Sequence, residues 1–205
     1  MTLQKKEQHL VRVAAATAMG HIEELQSYLN TALQDGVSIN ELKELMIQLY
    51  AYCGFPRSLN GLSALMVVIT ERQKSGINDD VGQTPKPIPA DKSRFELGDE
   101  VQRELTGGPV KGPLFDFAPA IDAFLKEHLF ADIFLRGVLS YQEREIITIA
   151  TLACIGVISQ LTSHIRIGMN TGLVVSQINS IAEVLNEINE ASAAKNIRTI
   201  LKTIC

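Results

Sequence analysis

The chain has 205 residues, 46% of them hydrophobic and 20% charged, which suffices for one domain or two small repeats with a sizeable core. A net charge of -4 and an isoelectric point near 5.6 leave no basic footprint for nucleic acid, and the interspersed charges form no polybasic patch for a membrane surface. Cys53, Cys154 and Cys205 are odd in number and far apart, which reads as reduced thiols in a cytoplasmic protein rather than a disulfide framework.

The chain opens with "MTLQKKEQHLVRVAAATAMG", charge followed by apolar residues, as a leader would. Its apolar run "VAAATAM" is short, contains Thr and runs straight into a charged helical pattern, so a helix is expected there and not a signal peptide. No stretch reaches the roughly 18 apolar residues of a membrane span. Residues 1–75 read as four helices, punctuated by Gly20, Gly36, Gly54 and Gly76, where left-handed C-terminal residues belong. "SINE" (Ser38 to Glu41) is a capping box opening the third helix, and Pro56 stands near the start of the fourth. Residues 76–114 form a connection: "GINDDVGQTPKPIPADKSRFEL" holds three prolines, two glycines and scattered charge, and a short helix follows at "GDEVQRELTG". After "GPVKGP", residues 115–205 resume with "APAIDAFLKEHLFADIF" and a second capping box, "SYQE" (Ser140 to Glu143), leading into "REIITIATLAC". No period-two run bounded by turns occurs, so the fold class is all-α.

The chain also aligns on itself. At an offset of 136 residues, segment 8–69 lies over 144–205 without a gap. Gly20 meets Gly156, Gly36 meets Gly172, Leu25 meets Leu161, Leu49 meets Leu185 and Asn60 meets Asn196. The expectation is two tandem, pseudo-symmetric helical repeats.

In the second repeat, Gly156 should end one helix and turn the chain into the next. Glu145 lies eleven residues before that turn and His164 eight after it. At 1.5 Å per residue both lie about 12 to 16 Å from the bend, on antiparallel neighbours. They are therefore placed to meet, with Gln160 one turn before His164 on the same face. A carboxylate held against an imidazole fixes its tautomer and favours the protonated ring, which suits a proton donor. A lone helical histidine also fits a packed, satisfied residue, and a Glu in a helix's first turn is favoured by the dipole alone.

"LSYQEREIITIATLACIGVISQLTSHIRIGMNTGL" resembles the carboxymuconolactone decarboxylase family, whose pattern of a helix ending in Gly, then His, then a small-residue segment ending in Gly falls here on Gly156, His164 and "GMNTG". "HIEELQSYLNTALQDGVSINELKELMIQLYAYCGFPRSLNGL" is similar to the same unit, and "LFADIFLRGVLS" to the segment before it. The resemblance implies an alkyl hydroperoxidase-like fold with one repeat in residues 1–75 and another in 115–205. It also implies a homo-oligomer, a trimer of two-repeat chains or a hexamer, with apolar surface offered by "GLSALMVVIT" and "ATLACIGVI". The family includes alkyl hydroperoxidases, whose Glu and His match Glu145 and His164, but whose two cysteines fall here on Val157 and Gln160. Neither can act as nucleophile or resolving thiol, so dithiol peroxidase chemistry is disfavoured. In the first repeat His9, His21, Glu24 and Tyr28 take the places of Glu145, Val157, Gln160 and His164.

The four histidines show no metal-ligand spacing, no phosphate loop is present, and Ser163 beside His164 makes no triad. The resemblance implies a cofactor-free, metal-free lyase similar to γ-carboxymuconolactone decarboxylases, acting on a small carboxylated lactone or related acid. Arg136 would anchor the carboxylate, His164 return a proton and Glu145 orient it. Gln160 would contact substrate, and Tyr50, Tyr52, Cys53 and Pro56 are candidates for the pocket wall, because pseudo-symmetric repeats often pack face to face. A peroxidase using Cys53 or Cys154, or a scaffold without catalysis, are the alternatives.

Overall fold

The computed structural model describes residues 2–204, and every regular element among them is helical. Helices α1 (Lys5–Met19), α2 (Ile22–Gln34) and α3 (Ile39–Lys74) make the first repeat. After the connection come α4 (Arg94–Thr106), two single-turn helices α5 (Pro113–Phe117) and α6 (Pro119–Ala123), a π-helical stretch Phe124–Ile133 and a 3-10 turn Phe134–Arg136. The second repeat is α7 (Tyr141–Ile155), α8 (Ile158–Asn170), α9 (Val175–Glu187) and α10 (Ala191–Ile204).

The 136-residue offset holds to the residue: both ends of α1 map onto the ends of α7, both ends of α2 onto those of α8, and the start of α3 onto the start of α9. Gly20 and Gly156 end the paired helices at φ 76 and 73, left-handed values that only glycine adopts without cost. The third and fourth helices expected of the first repeat are both formed within α3, separated where Gly54 leaves helical geometry at φ 84 and ψ 159. Both predicted capping boxes are formed, Glu41 amide donating to Ser38 and Glu143 amide to Ser140.

Helices α1 and α7 lie against each other at the centre. Leu10, Val11, Ala14, Ile146, Ile149 and Ala150 are wholly enclosed, so each helix is covered on all sides, as its apolar content requires. Each such Leu or Ile contributes about 1.5–3 kcal/mol by leaving water. The run "ATLACIGVI", expected to supply association surface, is largely consumed in this core: Leu152 and Ala153 are buried. The run "GLSALMVVIT" does keep apolar surface, with Met66 65% and Val67 40% exposed.

The connection is tied down. Amides of Ile39 and Asn40, the orphan donors at the start of α3, donate to the carbonyls of Asp80 and Val81 at 2.9 and 3.0 Å. Buried Arg72 holds Asp79 through two nitrogens, with Nη2 at 2.7 Å from Oδ1. Further on, "APAIDAFLKEHLFADIF" departs from the α-helix its pattern suggests and becomes π-helical from Phe124. Here α4 presses on that stretch at Gly98, where a methyl group would fall 1.7 Å from the Lys126 carbonyl oxygen. Val101 and Leu105 of α4, with Leu129, Phe130 and Phe134, build a second small core that reaches Ile167 of α8. This added layer stands over one face of α8, and a cavity lies between them.

Candidate active site

Glu145 sits in the first turns of α7 and His164 midway along α8, and the Gly156 turn sets the two helices antiparallel. His164 Nδ1 donates to Glu145 Oε2 at 2.8 Å. The carboxyl group is completely buried and the imidazole nearly so, at 12% side-chain exposure. A carboxylate oxygen only accepts, so the proton is fixed on Nδ1 and Nε2 is left for another partner. Tyr52, from α3 of the other repeat, meets the imidazole edge-on with ring centroids 5.4 Å apart. Its hydroxyl is sealed from solvent beside the Thr148 side chain, which it approaches without full hydrogen-bond geometry, and Glu145 Oε1 is likewise unpaired. Burial, and then the Glu145 carboxylate, push the Tyr52 phenol well above its ordinary pKa, so it remains a protonated donor.

His164, Gln160, Ser163, Arg166 and Asn170 of α8, with Tyr52, form the polar side of a cavity of about 570 Å³. α4 adds Gln102 and Thr106. Gln102 is buried, yet its Oε1 has no partner. The opposite wall is apolar and comes from the connection and the π-helical stretch: Val110, Leu114, Phe115, Ile121, Leu125 and Leu129. Arg166 is the lone lysine or arginine on the lining, and among the described residues no carboxylate pairs with it.

The structure thus brings His164, Glu145, Gln160 and Tyr52 together, and leaves other expected residues outside. Arg136, the proposed carboxylate anchor, does not line the cavity: its Nε donates to both oxygens of buried Glu44 at 2.9 Å. Glu44 also accepts from Arg144 Nη2 at 3.3 Å, and Arg144 is fully enclosed with its guanidinium 5.5 Å from the Phe134 ring. Gln48 completes this polar knot, accepting from Arg144 Nη1 and donating to Thr148, both at 2.9 Å. Arg136 is spent on the Glu44 carboxylate. Cys53 is likewise off the cavity, its thiol donating to the Leu49 carbonyl at 3.2 Å, and Tyr50 instead stacks on Phe55 at 4.3 Å. Burial pushes the Cys53 thiol up to about 11 and the Cys154 thiol up to about 12, and neither lines the cavity. Cys205 lies outside the described residues.

Sequence reasoning missed Arg166 and Gln102. Arg166 is two positions after His164, a spacing that puts side chains on different helix faces, and only the layer folded over α8 makes one cavity wall of both. Gln102 lies beside the apolar stripe of α4, where nothing marks it. Among the described residues no helix is long and apolar enough to cross a membrane, and no cluster of three His, Cys, Asp or Glu side chains gathers as a metal site.

A model of the carboxymuconolactone decarboxylase family matches residues 2–66 and 119–203. No curated protein sequence matches the chain. A crystal structure from Burkholderia xenovorans, named as a gamma-carboxymuconolactone decarboxylase subunit, superposes with a TM-score of 0.59 at 18% identity, over 98% of this chain and 79% of that one. At that identity the likeness concerns the fold.

Proposed function

Because the chain belongs to the carboxymuconolactone decarboxylase family, we propose that its cavity decarboxylates an acid whose carboxylate is activated by a conjugated carbonyl, without a cofactor. The observation that carries this reading is the 2.8 Å contact of His164 Nδ1 with Glu145 Oε2, which leaves Nε2 to a cavity wall. Arg166 takes the place first given to Arg136 and receives the substrate carboxylate at the cavity rim. The bond from that carboxylate to the neighbouring carbon breaks, carbon dioxide leaves, and the electron pair moves onto the carbonyl oxygen as an enolate. The Gln160 side-chain amide, on the polar side of the cavity, donates to that oxygen as charge develops. Protonated His164 then delivers its Nε2 proton to carbon, and solvent restores it. Glu145 keeps the ring in one orientation throughout.

Peroxidase chemistry has less support, since both described thiols are held protonated away from the cavity. A homo-oligomer is supported by the exposed apolar residues Phe55, Leu59, Met66 and Val67 of α3. Carbon dioxide release from γ-carboxymuconolactone and from a series of 3-oxo acids tests the reaction. Turnover that His164→Asn abolishes supports it; no release from any such acid, or release indifferent to His164, overturns it.

A further inference from the structure

We infer that the cavity takes an acid with a single carboxylate and an extended apolar body, and that it rejects compact or double-headed diacids. This rests on the proposed function for the reacting group, but its ground is the cavity lining alone. The polar groups cluster on one side, along α8 and around Tyr52, and the facing wall offers Leu114, Phe115, Ile121, Leu125 and Leu129 without a hydrogen-bonding side chain among them. Charge is equally one-sided. Arg166 is the lone lysine or arginine of the lining, and a protonated His164 is already balanced by the Glu145 carboxylate behind it. One anion is therefore compensated. A second carboxylate laid along the apolar wall would lose its hydration and find no partner, which the cavity has nothing to offset.

Size points the same way. At roughly 30 Å³ per water-sized group, about 570 Å³ holds something near 15 to 20 non-hydrogen atoms, allowing for the open mouth. A compact lactone diacid would leave the far wall wetted. The ligand class is thus an amphiphilic monocarboxylate, its head at Arg166 and its chain along the wall of residues 114–129.

Saturated acids that cannot decarboxylate separate this inference from the reaction. Isothermal titration calorimetry on the full chain would compare decanoate, the equal-length diacid decanedioate, hexanoate and neutral decanamide. Decanoate should bind at least tenfold more tightly than decanedioate or hexanoate. Arg166→Gln should weaken decanoate fivefold or more and leave decanamide unchanged, while Leu125→Asn should weaken both. Decanedioate binding as well as decanoate, no decanoate binding at millimolar concentration, or indifference to Arg166→Gln would each overturn it. If decanoate binds as stated while no oxo acid is decarboxylated, the reaction assignment fails and the ligand class stands.

Discussion

Tyr28 stands in the first repeat where His164 stands in the second, and each lines a pocket to which the opposite repeat contributes residues. The smaller pocket, about 210 Å³, also holds Glu24 and Ile188, the counterparts of Gln160 and Tyr52. Its chemistry has diverged. His9, at the place of Glu145, turns to Asp35, with Nε2 at 2.7 Å from Oδ2, so it backs no group in that pocket. His21 comes only within 3.8 Å of Glu190. Substitution should therefore be asymmetric. Tyr28→Phe is expected to leave turnover within about twofold, whereas His164→Asn lowers kcat by about 10²–10⁴, the usual contribution of a positioned general acid. Steady-state rates of the two variants measure this; equal losses would show that both pockets react.

Tyr52 and Gln160 separate stability from activity. The Tyr52 hydroxyl is buried beside Thr148 without full hydrogen-bond geometry, so removing it loses at most a weak bond and relieves a desolvated group. Tyr52→Phe should unfold at the same urea concentration as the parent or slightly higher and keep kcat within about tenfold, while Gln160→Ala lowers kcat about 10²–10³-fold through loss of an oxyanion donor. A clear loss of stability would mean that the hydroxyl is tied into the fold.

The knot beneath the site behaves in the opposite way. Glu44 accepts from both Arg136 and Arg144, and Arg144 has no exposure at all. Burial pushes the Arg144 pKa down and the Glu44 carboxylate opposes that shift, so removing Glu44 leaves an enclosed cation uncompensated. Glu44→Ala should cost about 3–5 kcal/mol, read from urea unfolding. Replacing exposed Lys43 by Ala in parallel should change stability by less than about 0.5 kcal/mol.

The repeat, its helix ends and the His164–Glu145 pair were legible in the sequence because each rests on local rules: a fixed offset, glycine after a helical run, and heights counted from one turn. The cavity was not. Its apolar wall comes from residues 110–130, where two single-turn helices and a π-helical stretch follow no 3.6-residue period. Arg136 was misjudged for a related reason. Its partner Glu44 is 92 residues away, in a helix where it looks like one more polar residue. No local rule brings those two together, so a guanidinium near the right segment read as free.

Gly98 is the point where that wall is fixed. Because a methyl group there would lie 1.7 Å from the Lys126 carbonyl oxygen, backbone must move to admit it. Gly98→Ala should destabilise the chain by about 1–3 kcal/mol, as overpacking does, and should also displace Leu125 and Leu129 from the cavity. Hydrogen exchange should rise first in residues 124–133 and leave α1 and α7 unchanged. Uniform protection would show that α4 yields without disturbing the stretch beneath it.

The thiols give a prediction in pH. Cys53 is held up to about 11 and Cys154 up to about 12, each mainly by burial, against 9.0 for a free thiol. At pH 8 only about a thousandth of Cys53 is thiolate, and that fraction rises tenfold per unit until the pH approaches 11. Iodoacetamide labelling followed by peptide mapping should therefore show Cys53 slow at pH 8 and steeply faster toward pH 10, with Cys154 slower throughout. The sign for stability follows. Both groups favour folding in their protonated form, so this contribution is full below pH 9 and is lost as the pH climbs through about 11 and 12. Rapid labelling of Cys53 at pH 7, with hydroperoxide consumption that Cys53→Ser removes, would overturn the assignment and return the chain to the peroxidase reading.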